Sequence, residues 1–250
     1  MNLGQLFGLI IILISAGLIL YFWLLDKPGR FLRGFRPMPG FQRLRRAIGL
    51  SVEQGNRLHI SLGKASLVNP AGASSLAALA ALERIARMSS LSDRPPIASS
   101  GDGALAILSQ DAMRSAYRLS NSPELHDPDR GRLAGATPLS FLAGMLPLVH
   151  GEHVSAHVLL GNFGSEIALL AEAANQKEQF TLAASDSLTA QAVLYATAQE
   201  PLIGEELFAV SAYLLAGPQH TASLRVHDLL RLGVIAAILI LVILSLAGVL

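Results

Sequence analysis

The chain has 250 residues, enough for one domain of ordinary size and some additional segments. Apolar residues make up 52% of it and charged residues only 15%, a low charge content for a soluble protein, and the formal net charge is +1. There is no cysteine, which excludes disulfides, thiolate nucleophiles and cysteine-ligated metals.

The apolar residues are concentrated in two blocks without a charged residue, Leu3–Leu25 and Leu232–Leu250. Each block has roughly 20 residues, the length that lets a helix cross about 30 Å of hydrocarbon. We therefore predict transmembrane helices over residues 1–26 and 229–250. A cleaved signal peptide is the alternative for the first block. It is disfavoured because Met1-Asn2-Leu3 has no basic side chain and the block does not end in a small-residue cleavage site.

Seven basic residues and no acidic residue lie between positions 27 and 46. They are Lys27, Arg30, Arg33, Arg36, Arg43, Arg45 and Arg46. Positive charge marks the cytoplasmic side of membrane helices. We therefore predict a two-pass protein of the bacterial inner (cytoplasmic) membrane, with both termini outside and the central domain in the cytoplasm. Residues 27–50 are interpreted as a basic juxtamembrane linker in which Arg43–Leu50 can form a short surface helix. The linker is expected to contact lipid headgroups of the bilayer, and not nucleic acid.

Residues 51–228 alternate between strand and helix patterns. Polar and apolar residues alternate over Arg57–Leu62, which is typical of a strand, and apolar residues recur at helical spacing over Gly72–Met88. Further strands are predicted over residues 96–99, 154–160 and 180–184, and further helices over residues 103–119, 166–175 and 188–198. This alternation predicts an α/β domain with a mainly parallel sheet and flanking helices, placed between the two transmembrane helices.

Three segments interrupt the regular alternation. Asn121–Gly135 is polar and contains two prolines, which predicts an exposed loop. Pro138–Val149 is predicted to be an additional helix on the sheet. Leu202–Leu215 allows two interpretations, because Glu205-Glu206 suit a helix start whereas Phe208–Leu214 suits a last strand.

Three stretches of the domain carry a family resemblance. They are residues 58–72 (LHISLGKASLVNPAG), 151–166 (GEHVSAHVLLGNFGSE) and 183–213 (AASDSLTAQAVLYATAQEPLIGEELFAVSAY). These stretches resemble an uncharacterised bacterial membrane-protein family defined by a domain of unknown function, and the likeness covers most of residues 58–230. The resemblance implies the membrane topology. It includes no catalytic motif and therefore implies no site residue.

Four turns follow the predicted strands, and in a parallel sheet they lie at the carboxyl edge, where α/β proteins bind ligands. Their candidate ligand-binding residues are Asn69, Gly72, Gly101, Asp102, Gly103, Gly161, Asn162, Gly164, Ser165, Ser185, Asp186 and Ser187. Small residues expose backbone N–H groups, and helix N-termini attract anions. The other interpretation is that these residues only cap helices, with Asn69-Pro70 opening the first of them. No turn matches a dinucleotide fingerprint or a P-loop, so the cofactor is unknown.

A group of histidines raises the question of a metal site. It consists of His150, Glu152, His153 and His157. On a strand, His153 and His157 lie about 13 Å apart, too far to share one metal ion, although on a helix they would be neighbours. Val154 and Val158 favour the strand. We therefore predict no metal site and expect loop and sheet-surface histidines that titrate near neutral pH.

Two functions from different classes remain open. The first is a membrane-anchored, non-enzymatic interaction or scaffold protein that forms a homo-oligomer or is a subunit of a membrane complex, because small residues in both apolar blocks allow close helix packing. The second is a membrane-tethered domain that binds, or acts on, a small anionic ligand at the carboxyl ends of its strands. No catalytic residue is predicted, since Asp102 and Asp186 form an acid pair only if the sheet brings their turns together.

Overall fold

The computed structural model describes residues 3–25, 36–151, 153–215 and 217–247. The chain divides into two compact units. One is the segment Arg36–Ala216, and the other combines Met1–Phe35 with Gly217–Leu250. The first unit is continuous in sequence, whereas the second is built from both ends of the chain.

The elements alternate between helix and strand through most of the chain. In chain order they are α1 (Leu3–Leu25), α2 (Pro39–Glu53), β1 (Arg57–Ser61), α3 (Gly72–Met88), β2 (Ile97–Ser100), α4 (Gly103–Leu119), β3 (Gly131–Leu133), α5 (Pro138–His150), β4 (Val154–Gly161), α6 (Ile167–Gln176), β5 (Phe180–Ser185), α7 (Leu188–Thr197), β6 (Glu200–Leu202), α8 (Glu206–Tyr213) and α9 (Pro218–Leu246). Two short 3-10 turns, Pro123–Leu125 and Pro128–Arg130, lie between α4 and β3.

Helices α1 and α9 contact each other and expose most of their apolar surface. Both are long and apolar enough to cross a membrane, with mean hydropathy of 2.6 and 2.8, and none of the residues in their most apolar stretches is buried. Apolar surface left in water costs about 25 cal/mol per Å², so such helices require an apolar environment. The two helices are therefore compatible with a two-pass membrane protein. α9 begins at Pro218, eleven residues before the predicted span.

The strands form one six-stranded parallel sheet in the order β3-β2-β1-β4-β5-β6. The predicted α/β class with a parallel sheet is confirmed. The order is the doubly wound arrangement that many dinucleotide-binding folds share. A shared strand order carries no function by itself, because function depends on the residues of the site.

Helices cover both faces of the sheet. α5, α6 and α7 pack on one face in an apolar cluster that contains Phe141, Met145, Leu159 and Phe163. α2, α3, α4 and α8 pack on the other face and contact one another. Central strands therefore bury both of their faces, and Ile60 is fully inaccessible. Strands buried on both sides are typical of parallel sheets.

The prediction of an exposed loop over Asn121–Gly135 is wrong at its end, because Gly131–Leu133 forms the edge strand β3 beside β2. A Cβ at Gly131 would lie 2.5 Å from the Gln110 side chain, so α4 packs closely over this strand. The strand is only three residues long and depends on this contact. Gly131 is thus required by packing, but sequence alone does not distinguish it from a glycine in a loop.

The ambiguous segment Leu202–Leu215 contains the end of a strand and a helix. β6 adds Glu200–Leu202 to the sheet beside β5, and α8 follows over Glu206–Tyr213. The alternative of a strand over Phe208–Leu214 is wrong. Six of the eight residues of α8 are buried, all except Glu206 and Phe208, so the helix lacks the polar stripe that identifies a surface helix.

Two helix starts differ from expectation. Residues 39–50, interpreted from sequence as linker, belong to α2, whose apolar side chains Phe41, Leu44 and Ile48 are buried in the α/β unit. The basic residues of α2 lie between these apolar ones, so α2 is amphipathic, and it begins four residues before the predicted short helix. Asn69 does not cap α3, because the helix begins at Gly72 without a side-chain cap.

Candidate functional site

The direction in which the sheet grows reverses between β1 and β4. In sheets of this kind, ligands bind outside the carboxyl ends of the strands at that reversal. The four predicted turns follow β1, β2, β4 and β5, which are neighbours in the sheet. The turns therefore lie side by side along one edge.

Backbone contacts fill the position of the reversal. Gly63 has a φ of +76°, and a Cβ there would lie 2.6 Å from the backbone nitrogen of Asn162. Gly161, at a φ of +135°, is packed equally tightly against the carbonyl of Leu62. The Lys64 backbone N–H donates to the Asn162 carbonyl at 3.0 Å. The loops after β1 and β4 thus stay in backbone contact beyond the ends of their strands, and only glycine fits both positions.

An ion pair joins the same two loops. Lys64 Nζ lies 2.6 Å from Glu166 Oε1, and about four fifths or more of each side chain is buried. The Gly164 N–H also donates to Glu166 Oε1 at 3.2 Å. Burial alone raises the pKa of Glu166, but the hydrogen bond and charge of Lys64, together with backbone N–H groups, outweigh it and lower that pKa. Sequence analysis missed both residues, because neither belongs to a recognisable motif.

The loops after β4 and β5 are joined by side chains. Asn162 Nδ2 donates to Asp186 Oδ1 at 2.7 Å. Ser185 Oγ accepts from the backbone N–H of Phe163 at 3.3 Å and from that of Ser187 at 3.2 Å. The predicted residues of these two turns therefore meet, and their polar groups satisfy each other.

The other predicted residues stabilise local structure. Asp102 is the N-cap of α4, where its carboxylate accepts from the Leu105 N–H at 3.0 Å. Gly103 is the first residue of that helix. Backbone N–H groups donate from Gly72 to Asn69, from Gly101 to Gly63, from Ile167 to Gly164 and from Ala168 to Ser165. Asp102 caps a helix with its side chain, whereas the bond from Gly101 joins the loop after β2 to the loop after β1.

Asp102 and Asp186 do not form an acid pair. Their turns follow β2 and β5, which have β1 and β4 between them. Three strand spacings of about 4.8 Å separate the turns by about 14 Å. Among the residues that the structure describes, no group of three or more histidine, aspartate or glutamate side chains is arranged to hold a metal ion.

The predicted lipid-contacting residues divide into three groups. Arg43 pairs with Glu200, and Arg45 Nη2 donates to the Tyr213 carbonyl at 2.6 Å. The side chain of Arg46 is exposed, and the carbonyl of Arg36 accepts from the Tyr213 hydroxyl. Lys27, Arg30 and Arg33 lie outside the described residues. Two of the arginines thus also tie α2 to the end of the α/β unit.

A series of hydrogen-bonded, buried polar side chains beneath α5 runs across β2, β1 and β4 to Gln179, the residue before β5. His59 Nδ1 lies 2.9 Å from His157 Nδ1, and His59 Nε2 lies 2.7 Å from Ser99 Oγ. On the other side, His157 Nε2 lies 3.0 Å from Gln179 Oε1. His59 and His157 are fully inaccessible and Ser99 nearly so. The expectation of surface histidines is therefore wrong for His157, although His150 and His153 are exposed.

The hydrogen bonds define which nitrogen of each histidine carries the proton. Gln179 Nε2 donates to the carbonyls of Val149 and Val154, at 3.0 and 2.8 Å, so Gln179 Oε1 faces His157 and can only accept. His157 is therefore protonated on Nε2 and accepts at Nδ1. His59 donates from Nδ1 and accepts at Nε2 from the Ser99 hydroxyl. With both histidines neutral, each of their ring nitrogens has a hydrogen-bond partner.

A serine beside a histidine nitrogen resembles an activated nucleophile. Here Ser99 is only 2% exposed. Its hydroxyl lies under α5, where no substrate carbonyl can reach it. Burial lowers the pKa of His59 well below its usual range, with a smaller contribution from the neighbouring His157. Burial also lowers the pKa of His157 to about 4. The hydrogen-bonded series from Ser99 to Gln179 is therefore a structural network and not a reactive site.

The lowered pKa values of His59 and His157 predict that the folded domain is destabilised by acid. A histidine in the unfolded chain titrates near 6.5, so between about pH 6.5 and 4 the unfolded state binds more protons than the folded state. The free energy of unfolding should then fall as pH decreases, by up to about 1.4 kcal/mol per pH unit for each histidine. The measurement is the melting temperature of the detergent-solubilised chain from pH 7.5 to 4.5.

The matched variants are His157→Gln, which removes one buried titrating group, and His150→Gln, which removes an exposed one. His157→Gln should show a shallower decrease in melting temperature with acid, whatever its stability at neutral pH. His150→Gln should retain the slope of the parent chain. Identical slopes for all three proteins would contradict the assignment.

Comparison with known proteins gives a family and no individual relative. No curated protein and no solved structure matches the chain. One family model matches residues 1–250, and its description is a domain of unknown function, DUF6754. The match agrees with the resemblance seen in the strands and turns of the domain. The chain therefore belongs to the DUF6754 family.

Proposed function

We propose that the chain is a two-pass membrane protein whose α/β domain is a non-enzymatic interaction module, and that copies of the chain associate through α1. The observation that carries this proposal is an open glycine face. Gly4 and Gly8 lie one turn apart on the same face of α1. Apart from the local helix backbone, no atom of the described residues lies within 4 Å of the Cβ position at either glycine.

Two glycines at this spacing let another helix approach until backbone meets backbone, which favours association inside a membrane. Among the described residues, α9 contacts α1 but places no atom within 4 Å of the Cβ position at Gly4 or Gly8. A helix from outside this chain can therefore pack against this face. A second copy brings the same face, so two copies can pack with glycine against glycine.

Two features of the domain support a binding role in preference to a catalytic one. At the strand reversal, the close approach of Gly63 to Asn162 and the Lys64–Glu166 ion pair hold the two loops together. The serine–histidine pair of Ser99 and His59 is enclosed by the sheet and α5. An interaction module needs neither an open crevice nor an accessible nucleophile.

The double variant Gly4→Leu/Gly8→Leu tests the association. Two leucine side chains would hold neighbouring helices apart, so the parent chain should be oligomeric and the variant monomeric. The measurement is native mass spectrometry of the full chain in mild detergent. Ile12→Leu is the matched control, since Ile12 is an exposed apolar residue on the same helix and its volume is unchanged. A monomeric parent chain would refute self-association.

We further propose that the protein lies in the bacterial inner membrane with both termini outside and its domain in the cytoplasm. The support is the group of seven basic residues after the first apolar helix. Residues 1–46 carry a net charge of +6, which leaves −5 for the remainder of the chain. That asymmetry fits a basic cytoplasmic border and an acidic domain.

The absence of cysteine makes the orientation directly testable. Asn2→Cys should react with a membrane-impermeant maleimide in intact cells. Glu124→Cys, at an exposed position of the domain, should react only after permeabilisation. The reverse pattern would show that the domain is outside. The cysteine-free parent is the background control.

A second candidate function is binding of a small anionic ligand at the strand reversal. The observation that favours it is the position of Lys64, a cation at the junction of β1 and β4 where this strand order binds ligands. A ligand would have to displace Glu166 from Lys64 and separate the two loops. Binding would therefore be coupled to a local opening.

This candidate predicts ligand-induced thermal stabilisation of the full chain by at least one phosphorylated compound in a panel of nucleotides and metabolites. Lys64→Met/Glu166→Gln removes both charges without leaving one of them buried and unpaired, and should abolish the response. Glu83→Gln/Arg87→Gln, which removes both charges of an ion pair within α3, should retain the response. A panel without any stabilising compound would eliminate this candidate.

A further inference from the structure

A pocket opens between α4 and the turns that precede β3. Its volume is about 160 Å³, and its walls are formed by Ile107, Gln110, Asp111, Arg114, His126 and Pro128. The first four residues recur at helical spacing, so one face of α4 forms one wall. His126 and Pro128 form the opposite wall. This pocket is separate from the loops at the strand reversal.

Positive charge is concentrated along this face of α4. Arg114 and Arg118 are four residues apart, so their guanidinium groups are neighbours on the helix surface, and like charges at this spacing repel. Both residues are exposed, and neither forms an ion pair with any residue that the structure describes. An anion between them would relieve the repulsion.

His126 is held in the same positive field. Burial lowers its pKa, and the charges of Arg114 and Arg118 lower it further against an opposing contribution from Asp127. Asp127 is itself engaged by Arg130, whose Nε donates to it at 2.6 Å. The His126 ring lies 6.2 Å from the buried Tyr117 ring, between centroids, so the imidazole has an aromatic neighbour in the domain.

We propose that this pocket is a binding site for a phosphate group, held by Arg114 and His126 of its walls and by Arg118, which lies one helical turn beyond Arg114 on α4. Arginine guanidinium groups match the oxygen geometry of phosphate and donate two hydrogen bonds at once. Asp111 on the same wall offsets one positive charge. A doubly charged phosphate therefore gains more from the remaining field than a singly charged carboxylate does. The phosphate can belong to a soluble compound or to a lipid headgroup.

The test uses the full chain in nanodiscs of neutral lipid, with inorganic phosphate as the probe at constant ionic strength. Thermal stabilisation should increase with phosphate concentration and saturate. Arg114→Gln/Arg118→Gln should weaken phosphate binding by at least about tenfold, because it removes charged hydrogen-bond donors. Arg46→Gln, an exposed helix arginine elsewhere on the domain, should leave it unchanged. The melting temperatures without phosphate identify any variant that is misfolded.

A second readout follows His126 directly by NMR titration of its ring. Bound phosphate should raise the pKa of His126 in the parent chain and not in the double arginine variant. If free phosphate has no effect but nanodiscs containing phosphatidic acid raise that pKa, the source is a lipid headgroup. The proposal is overturned if neither source acts, or if both act equally on the double variant. A response that survives Lys64→Met/Glu166→Gln separates this pocket from the strand reversal.

Discussion

The parallel pairing of β1 with β4 is the contact on which the rest of the domain depends. It joins the two halves of the sheet, since β2 and β3 extend from one side and β5 and β6 from the other. Without it, each half would expose an inner edge of unpaired backbone groups. The same pairing brings Lys64 to Glu166 and Gly63 to Asn162, so the carboxyl edge inherits its geometry from this ladder.

The histidine chain makes this pairing specific. His59 and His157 are direct partners across β1 and β4, and their imidazoles share a hydrogen bond. A slip of one residue between β1 and β4 would turn the two rings to opposite faces of the sheet and break the hydrogen bond between them. Buried polar groups without partners cost about 1–3 kcal/mol each. The apolar residues beside them would tolerate a slip far better, so the polar chain selects the register.

The tautomers in this chain are determined at a distance. Gln179 binds the carbonyls of Val149 and Val154 through its amide nitrogen, which leaves only its oxygen for His157. The orientation of the Gln179 amide therefore determines the donor and acceptor nitrogens of both imidazoles, and with them the direction of the Ser99 hydroxyl. The end of helix α5 thereby sets the proton position on a histidine two strands away.

Sequence patterns predicted what is locally encoded. Helix α3 has the predicted bounds, and β1, β2, β4 and β5 differ from prediction by about one residue at each end, because their periodicity is read from neighbours in the chain. β3 and β6 were missed, since three residues are too few to show a period and neighbouring strands stabilise them. The position of the turns at one edge followed from the α/β alternation alone.

The chemistry of the candidate site was less predictable, for a physical reason. His59 and His157 are 98 residues apart, and Lys64 and Glu166 are 102 apart. Such pairs exist only once the sheet is assembled, so neither member carries a local signal. Whether the crevice is open depends on the backbone angles of Gly63 and Gly161, and a glycine in a turn is compatible with both outcomes.

Helix α9 has a mechanical consequence. It runs without interruption over 29 residues from Pro218 to Leu246, about 43 Å at 1.5 Å per residue, which exceeds the roughly 30 Å of a bilayer core. Its first turns contain histidine, arginine and aspartate, so the apolar and polar parts share one axis. A continuous helix transmits torque, because twisting it requires its backbone hydrogen bonds to stretch together. Any rotation of the apolar part, such as one imposed by a neighbouring helix, therefore turns the polar part through the same angle.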